Sequence, residues 1–293
     1  MQYTGISPNG SKPAARRLHL NGCTMTSPNA NELAVRDIHR DPLDDVLSQL
    51  DAGDIPTVPW QTCLDLMTWE QGEHAAVIGP TGQGKTTLAL ALLHERKYVT
   101  VFATKPQDET LERFAKEHAY SRHSSWPYHL GTEPSRLPWK KHSPRRILWP
   151  DARRLDSAEH QQKEFRTAMA DIYTQGGWAL YFDELWVMTN TLRLAPETKT
   201  FLMQGRSLGI STIIASQRPA FIPTEVYDQS THLFFCRDND ENNLKRISGI
   251  GYLSARQIRD TIPQLKRHQF LYINTRDGVM ARTTAPLNTK RGG

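Results

Sequence analysis

Eight residues, Gly79 to Thr86, read GPTGQGKT and directly follow the apolar run His74 to Ile78 (HAAVI). The pattern G-x-x-x-x-G-K-[ST] after such a run leaves a chain few structural choices. Gly79, Gly82 and Gly84 let the backbone turn tightly and aim successive N–H groups inward at phosphate oxygens. A helix opening near Lys85 brings the positive end of its dipole to the same point. The stretch Gly79, Pro80, Thr81, Gly82, Gln83, Gly84, Lys85, Thr86 and Thr87 is therefore read as a phosphate cradle. Lys85 would reach the β- and γ-phosphates of a nucleotide, and the Thr86 hydroxyl is placed to bind Mg²⁺.

The cradle needs a sheet behind it, and the rest of the chain supplies the pattern for one. Strands are expected at His74–Ile78, Tyr98–Ala103, Ile147–Trp149, Trp178–Phe182, Ile210–Ala215 and His232–Cys236. Helices are expected between them, over 85–96, 109–117, 157–174 and 196–207. The tail reads as helices over 241–248 and 254–261, then a hairpin over 269–284. Short apolar strands alternating with amphipathic helices indicate an α/β fold with a mainly parallel sheet flanked by helices. Residues 1–55 are polar and weakly periodic, which predicts a loosely ordered N-terminal arm with one short helix over 42–50. Residues 56–293 are expected to form the P-loop domain, with an insertion at about 121–154 and a C-terminal helix and hairpin extension.

Composition narrows the setting. The 293 residues are 38% hydrophobic and 23% charged, ordinary for a globular chain. No apolar run approaches the length of a membrane-spanning helix, and Met1 to Leu20 lack the apolar core of a secretory signal. Cys23, Cys63 and Cys236 lack CxxC spacing, so neither a disulfide framework nor a zinc site is expected, and a reducing intracellular compartment is.

Two acids follow the run Trp178–Phe182 (WALYF). A buried parallel strand that ends in Asp183-Glu184 opens carboxylates onto the crevice where ligands of such sheets bind. Asp183 would hold Mg²⁺ through its water shell, and Glu184 would orient or deprotonate an attacking water. A turn or helix cap is the plainer reading of the pair. Further on, ISTIIASQRP (Ile210–Pro219) ends its apolar run at Ser216-Gln217. If that strand lies beside the acidic one, the Gln217 amide reaches the γ-phosphate or the water; a loop-capping hydrogen bond is the alternative. Arg206, at the end of the intervening helix, is either a cation at a helix C-terminus or an arginine finger that completes a neighbouring subunit's site.

The net charge is +5, and it is unevenly placed. Between Ser121 and Arg154 lie Arg122, Arg136, Lys140, Lys141, Arg145, Arg146, Arg153 and Arg154, opposed only by Glu133 and Asp151. Trp126, Tyr128, Trp139 and Trp149 are interleaved with them. Such a segment suits a nucleic-acid backbone and its bases. Equally, it reads as a solvated insertion whose tryptophans tuck into the core.

Taken together, GPTGQGKTT, YFDE and GRSLGISTIIASQRP resemble, in order, the motifs of the FtsK/HerA superfamily of DNA-pumping ATPases. Arg206, Gly209, Ile210, Ser216, Gln217, Arg218 and Pro219 fit the last of these position by position, and the resemblance covers roughly residues 70–275. It implies a RecA-like core, ATP as the nucleotide, and Glu184, Arg206 and Gln217 as base, trans finger and sensor. One departure is Ala103-Thr104-Lys105-Pro106, where the family often has Asp-Pro-Lys-Gly; the acid is missing and Lys105 remains. Compact relatives are similar to phage and viral genome-packaging ATPases. The resemblance thus implies a homo-oligomeric ring (pentamer or hexamer) on double-stranded DNA, a capsid portal or packaging complex as partner, and the host cytoplasm or the virion as location. Plasmid transfer and chromosome handling remain alternatives within the family. A monomeric P-loop kinase or nucleotide-binding regulator is the alternative outside it, and a scaffold with a vestigial site is disfavoured by the intact Lys85, Thr86, Asp183 and Glu184.

Overall fold

The computed structural model describes residues 46, 48–49, 54–126, 144–154, 156–249 and 254–286. The expected arm, 1–55, falls almost wholly outside them; of the stretch expected to be a short helix, Val46, Ser48 and Gln49 are helical. Among the described residues, nine strands form one sheet in the order β3-β4-β2-β5-β6-β1-β7-β8-β9. They are β1 (His74–Ile78), β2 (Val99–Phe102), β3 (Ser121–His123), β4 (Arg145–Leu148), β5 (Ala179–Phe182), β6 (Ser211–Ser216), β7 (Ser230–Cys236), β8 (Gln269–Asn274) and β9 (Val279–Thr284). All pairings from β3 to β7 are parallel, and only the β7–β8 and β8–β9 pairings are antiparallel.

Every residue of β1, β2, β5, β6 and β7 is buried. Strands covered on both faces lose the alternation of a half-exposed sheet and read as largely apolar runs, here with a few small or polar residues such as Thr100, Thr212 and His232 buried among them. Two clusters of buried side chains flank the sheet, one built around Phe102, Phe165, Phe182 and Ile214, the other around Leu88, Val101, Tyr181 and Phe234. The helices that cover it include α1 (Trp60–Met67), α2 (Lys85–His94), α3 (Glu109–Glu117), α4 (Ala158–Gln175) and α5 (Ala195–Gln204). Beyond them come α6 (Thr224–Gln229), α7 (Glu241–Ser248) and α8 (Ala255–Thr261). The expected helices and hairpin are present, with ends shifted by a few residues. None of the described helices is long and apolar enough to cross a membrane.

The basic segment needs correction. Its described ends are not an insertion but the edge of the sheet, strands β3 and β4. Arg146 is 2% exposed, with its guanidinium 5.2 Å from the Trp126 ring centre and 5.3 Å from that of Trp178. Arg145 donates to the carbonyls of His94 and Arg96, both at 3.1 Å, and so caps the C-terminal end of α2 with positive charge. Trp126 donates from its ring nitrogen to Asp171 at 2.8 Å, and Trp149 to the Lys105 carbonyl at 2.7 Å. Arg122 stacks over Trp149 at 4.2 Å. Two of the cations read as backbone-following therefore have structural partners, Arg146 between two indole rings and Arg145 on the carbonyls that end α2. Arg136, Lys140, Lys141, Tyr128 and Trp139 lie outside the described residues.

This packing makes a thermodynamic prediction. Arg146→Ala removes a buried side chain wedged between two tryptophans, and it should lower unfolding free energy by about 2 kcal/mol or more. Chemical denaturation of the purified chain measures it. A change within about 0.5 kcal/mol is the surface-substitution result and would restore Arg146 to the solvated face.

Candidate functional site

Strand β1 ends in the cradle, and the fold explains its glycines. A side chain at Gly79 (φ +153°) would place its Cβ 2.3 Å from the Cβ of Cys236 at the end of β7. Gly84 caps α2 in the left-handed region (φ +91°), and a Cβ there would meet the His268 ring at 2.9 Å. The Gly79 N–H donates to the Ser216 carbonyl at 3.1 Å and so ties the start of the loop to the end of β6. Pro80 and Gln83 are half-buried, Thr81 and Gly82 exposed, and Thr87 occupies the first turn of α2.

The functional side chains converge on this loop from neighbouring strands. Lys85 Nζ donates to the carbonyls of Gly79 at 2.7 Å and Pro80 at 2.9 Å. Thr86 Oγ1 lies 3.4 Å from Asp183 Oδ1, which also accepts from the Tyr181 hydroxyl at 3.0 Å. Thr81 Oγ1 donates to Gln217 Oε1 at 2.9 Å, and the Gln217 side chain also hydrogen-bonds the Glu184 carboxylate. Gln217 thus joins the cradle to the acid. The expectation that the Gln217 strand lies beside the acidic one is met, since β6 sits between β5 and β1.

Burial decides the electrostatics. Asp183 is 5% exposed and Glu184 9%. Burial pushes the Glu184 carboxyl above the usual carboxylate range, and the Gln217 hydrogen bond and Lys85 only partly oppose it. A raised carboxyl is the better proton acceptor near neutral pH. Lys85 is shifted the other way, downward, again first by burial, with Glu184 and Asp183 among the groups opposing it. Lys105, outside the expected site residues, lies 2.9 Å from Asp183 Oδ2 and 3.2 Å from Asp108 Oδ2. Its burial alone would lower its pKa, but the two carboxylates outweigh that and raise it.

The donor set fits Mg²⁺. A hydroxyl and a carboxylate, Thr86 and Asp183, face each other across 3.4 Å. Hard oxygen ligands in that small number are what a cation that keeps most of its waters and shares phosphate oxygens requires. An ammonium already beside Asp183 marks the spot as one that favours positive charge.

Arg206 is elsewhere. It is exposed, in a 3-10 turn (Gly205–Leu208) at the end of α5, before β6 begins. There it lines a cavity of about 180 Å³ with Gly72, Glu73, His74 and Arg276, at the N-terminal ends of β1 and β7. The six residues of β6 put about 20 Å between that end and the cradle end, so the Arg206 side chain does not reach the cradle of its own chain.

Sequence reasoning missed Tyr181 and Lys105. Tyr181 was hidden inside an apolar run, where its hydroxyl has no signature. Lys105 was visible only as a leftover of the Ala-Thr-Lys-Pro turn. The strand β3 (SRH) and the short helices α1 and α6 were missed too, since three polar edge residues and helices under three turns carry almost no period.

No protein-family model matches the sequence, and no curated protein matches it. Solved structures do. The genome packaging NTPase B204 from Sulfolobus turreted icosahedral virus 2, in complex with AMP, aligns at a TM-score of 0.52 and 16% identity. That match covers 75% of this chain and 100% of B204, and the complex of B204 with ATP-gammaS gives the same values. VirB4 of Thermoanaerobacter pseudethanolicus aligns at a TM-score of 0.52 and 11% identity over 74% of this chain and 90% of its own. At such identities the likeness is one of fold. The chain has a helix-flanked, mainly parallel P-loop NTPase sheet, similar in fold to a viral packaging NTPase and to VirB4, in line with the resemblance its three motifs carry.

Proposed function

We propose that this chain is an ATP hydrolase that moves double-stranded DNA, acting in a homo-oligomeric ring during packaging of a phage or viral genome. The observation that carries the hydrolytic part is the convergence of Lys85 and Thr86, Asp183 and Glu184, and Gln217 at one end of three adjacent strands. B204, a packaging NTPase, supports the biological role, and plasmid transfer is the second reading because VirB4 shares the fold equally well.

The chemistry follows from the residues. The cradle's N–H groups and the N-terminus of α2 bind the phosphates. Lys85 leaves the Gly79 and Pro80 carbonyls for the β- and γ-phosphates, which outcompete neutral acceptors. A Mg²⁺ held by Thr86 and Asp183 supplies neutralisation of phosphate charge. Glu184, buried and raised in pKa, takes the proton of the attacking water, while Gln217 holds Glu184 and Thr81 in register around it. Arg206, too far from its own cradle, serves the next subunit's. DNA contacts fall to surfaces other than Arg145 and Arg146; Lys140 and Lys141 are the basic pair proposed for them.

Lys85→Ala and Thr86→Ala should each abolish turnover while the far-UV circular dichroism stays that of the parent, because neither side chain belongs to the apolar core. ATPase activity preserved in Lys85→Ala would exclude this cradle as the engine.

Glu184→Gln keeps shape and hydrogen bonding but takes no proton. ATP should bind and remain uncleaved, with turnover lower by about 10²- to 10⁴-fold. A near-parental rate would leave Glu184 as a structural cap and move the base elsewhere.

Arg206→Ala should bind ATP normally and hydrolyse it about 10³- to 10⁵-fold more slowly. Mixed with Lys85→Ala subunits, it should regain part of the lost activity, since some interfaces then pair an intact cradle with an intact finger. Near-normal turnover of Arg206→Ala alone would mean a helix-end cation, and a dead variant without recovery on mixing would contradict the trans arrangement.

A further inference from the structure

The steps above give no role to Lys105, the one cationic side chain that forms an ion pair with Asp183 among the described residues. The Lys105 ammonium spans the two carboxylates Asp183 and Asp108, at 2.9 and 3.2 Å. The other oxygen of Asp183 faces the Tyr181 hydroxyl and Thr86. Both oxygens of the expected metal ligand are therefore engaged by the protein's own groups.

The two partners differ in mobility. The Asp183 side chain is 3% exposed, whereas that of Lys105 is 43% exposed and sits on a flexible four-carbon stem. Its backbone is anchored: the Lys105 carbonyl accepts from Trp149 at 2.7 Å, and the Thr104 carbonyl from Gln161 at 3.3 Å. Asp108 is fixed as well, since it caps α3 by accepting from the Leu111 N–H at 3.0 Å. A pinned main chain carrying a half-exposed ammonium on a flexible stem against a buried carboxylate is a built-in cation that can be displaced.

We infer that Lys105 is a positioning residue that stands in the metal's place: it neutralises Asp183 and keeps free divalent cations out until a nucleotide binds. A cation then gains Asp183 only together with a phosphate-bearing ligand, whose negative charge gives the displaced ammonium another partner. This rests on the nucleotide-binding reading proposed above.

The test uses Mn²⁺ alone, without nucleotide, titrated into the full chain and followed by the electron paramagnetic resonance of the free ion. Lys105→Gln removes the cation that Asp183 and Asp108 share, and it should bind Mn²⁺ at least about tenfold more tightly than the parent. Lys105→Arg keeps the charge and should behave like the parent. Adding Asp183→Asn to Lys105→Gln should remove the gain. Equal Mn²⁺ affinity in the parent and Lys105→Gln, or a gain that survives Asp183→Asn, overturns the inference. A merely structural salt bridge predicts the first of these results. Binding of a fluorescent ATP analogue with Mg²⁺ by the parent chain reports separately on the nucleotide reading; its failure sinks that reading while the Mn²⁺ comparison remains interpretable.

Discussion

The site depends on where three parallel strands stop. In the register of the sheet, Ile78 of β1 pairs with Ser216 of β6, and Phe182 of β5 pairs with Ile214. The two residues that follow Phe182 are therefore Asp183 and Glu184, in the stretch of chain level with Ala215 and Ser216, beside the start of the cradle. The hydrogen bond from the Gly79 N–H to the Ser216 carbonyl carries the ladder one rung past β1. Buried backbone groups must find partners, so that rung fixes the loop's first residue relative to Gln217. A slip of one residue in either pairing would turn Asp183 or Gln217 to the other face of the sheet, and the constellation would be lost.

Within that frame the charges are balanced before any ligand arrives. Lys85 rests on two carbonyls and Lys105 on two carboxylates. A buried carboxylate such as Asp183 is costly unless it is paired, and neutral acceptors hold an ammonium less strongly than phosphate oxygens do. The resting contacts of Lys85 are thus weak enough to exchange, while the fixed groups, Asp183 and the backbone of the loop, keep their places. Preorganisation here means that only the tips of long, flexible side chains have to move.

The parts of this arrangement that were legible in the sequence are those whose physics is local. The cradle follows from glycine spacing, and the five buried strands from short, largely apolar runs. Asp183, Glu184 and Gln217 were visible because polar residues closing such runs stand out. What escaped depends on pairing across the fold. Arg146 looked like solvated charge, because nothing in RRILW signals that Trp126 and Trp178 will enclose one guanidinium. The edge strand β3 has no apolar face to reveal it, and Lys105 acquires meaning only when β2 and β5 lie side by side.

The same parallel geometry places Arg206 and the cradle at opposite ends of the sheet. Arg206 precedes β6 and Gln217 follows it, so the strand itself is the spacer between the proposed finger and the proposed sensor. A finger that cannot reach its own cradle acts only if the N-terminal end of one sheet meets the C-terminal end of the next. Where each subunit gives only one of these two surfaces to a given neighbour, the interface is heterologous. Repeated contacts of that kind either close into a ring or run on as a helical filament, according to the rotation between neighbours. A two-fold dimer would meet the same need only by laying both ends of each sheet across one interface, Arg206 of each copy against the cradle of the other. On the finger role proposed for Arg206, its separation from its own Lys85 therefore calls for a second copy of the chain at the cradle, which a head-to-tail ring supplies with one such contact per neighbour.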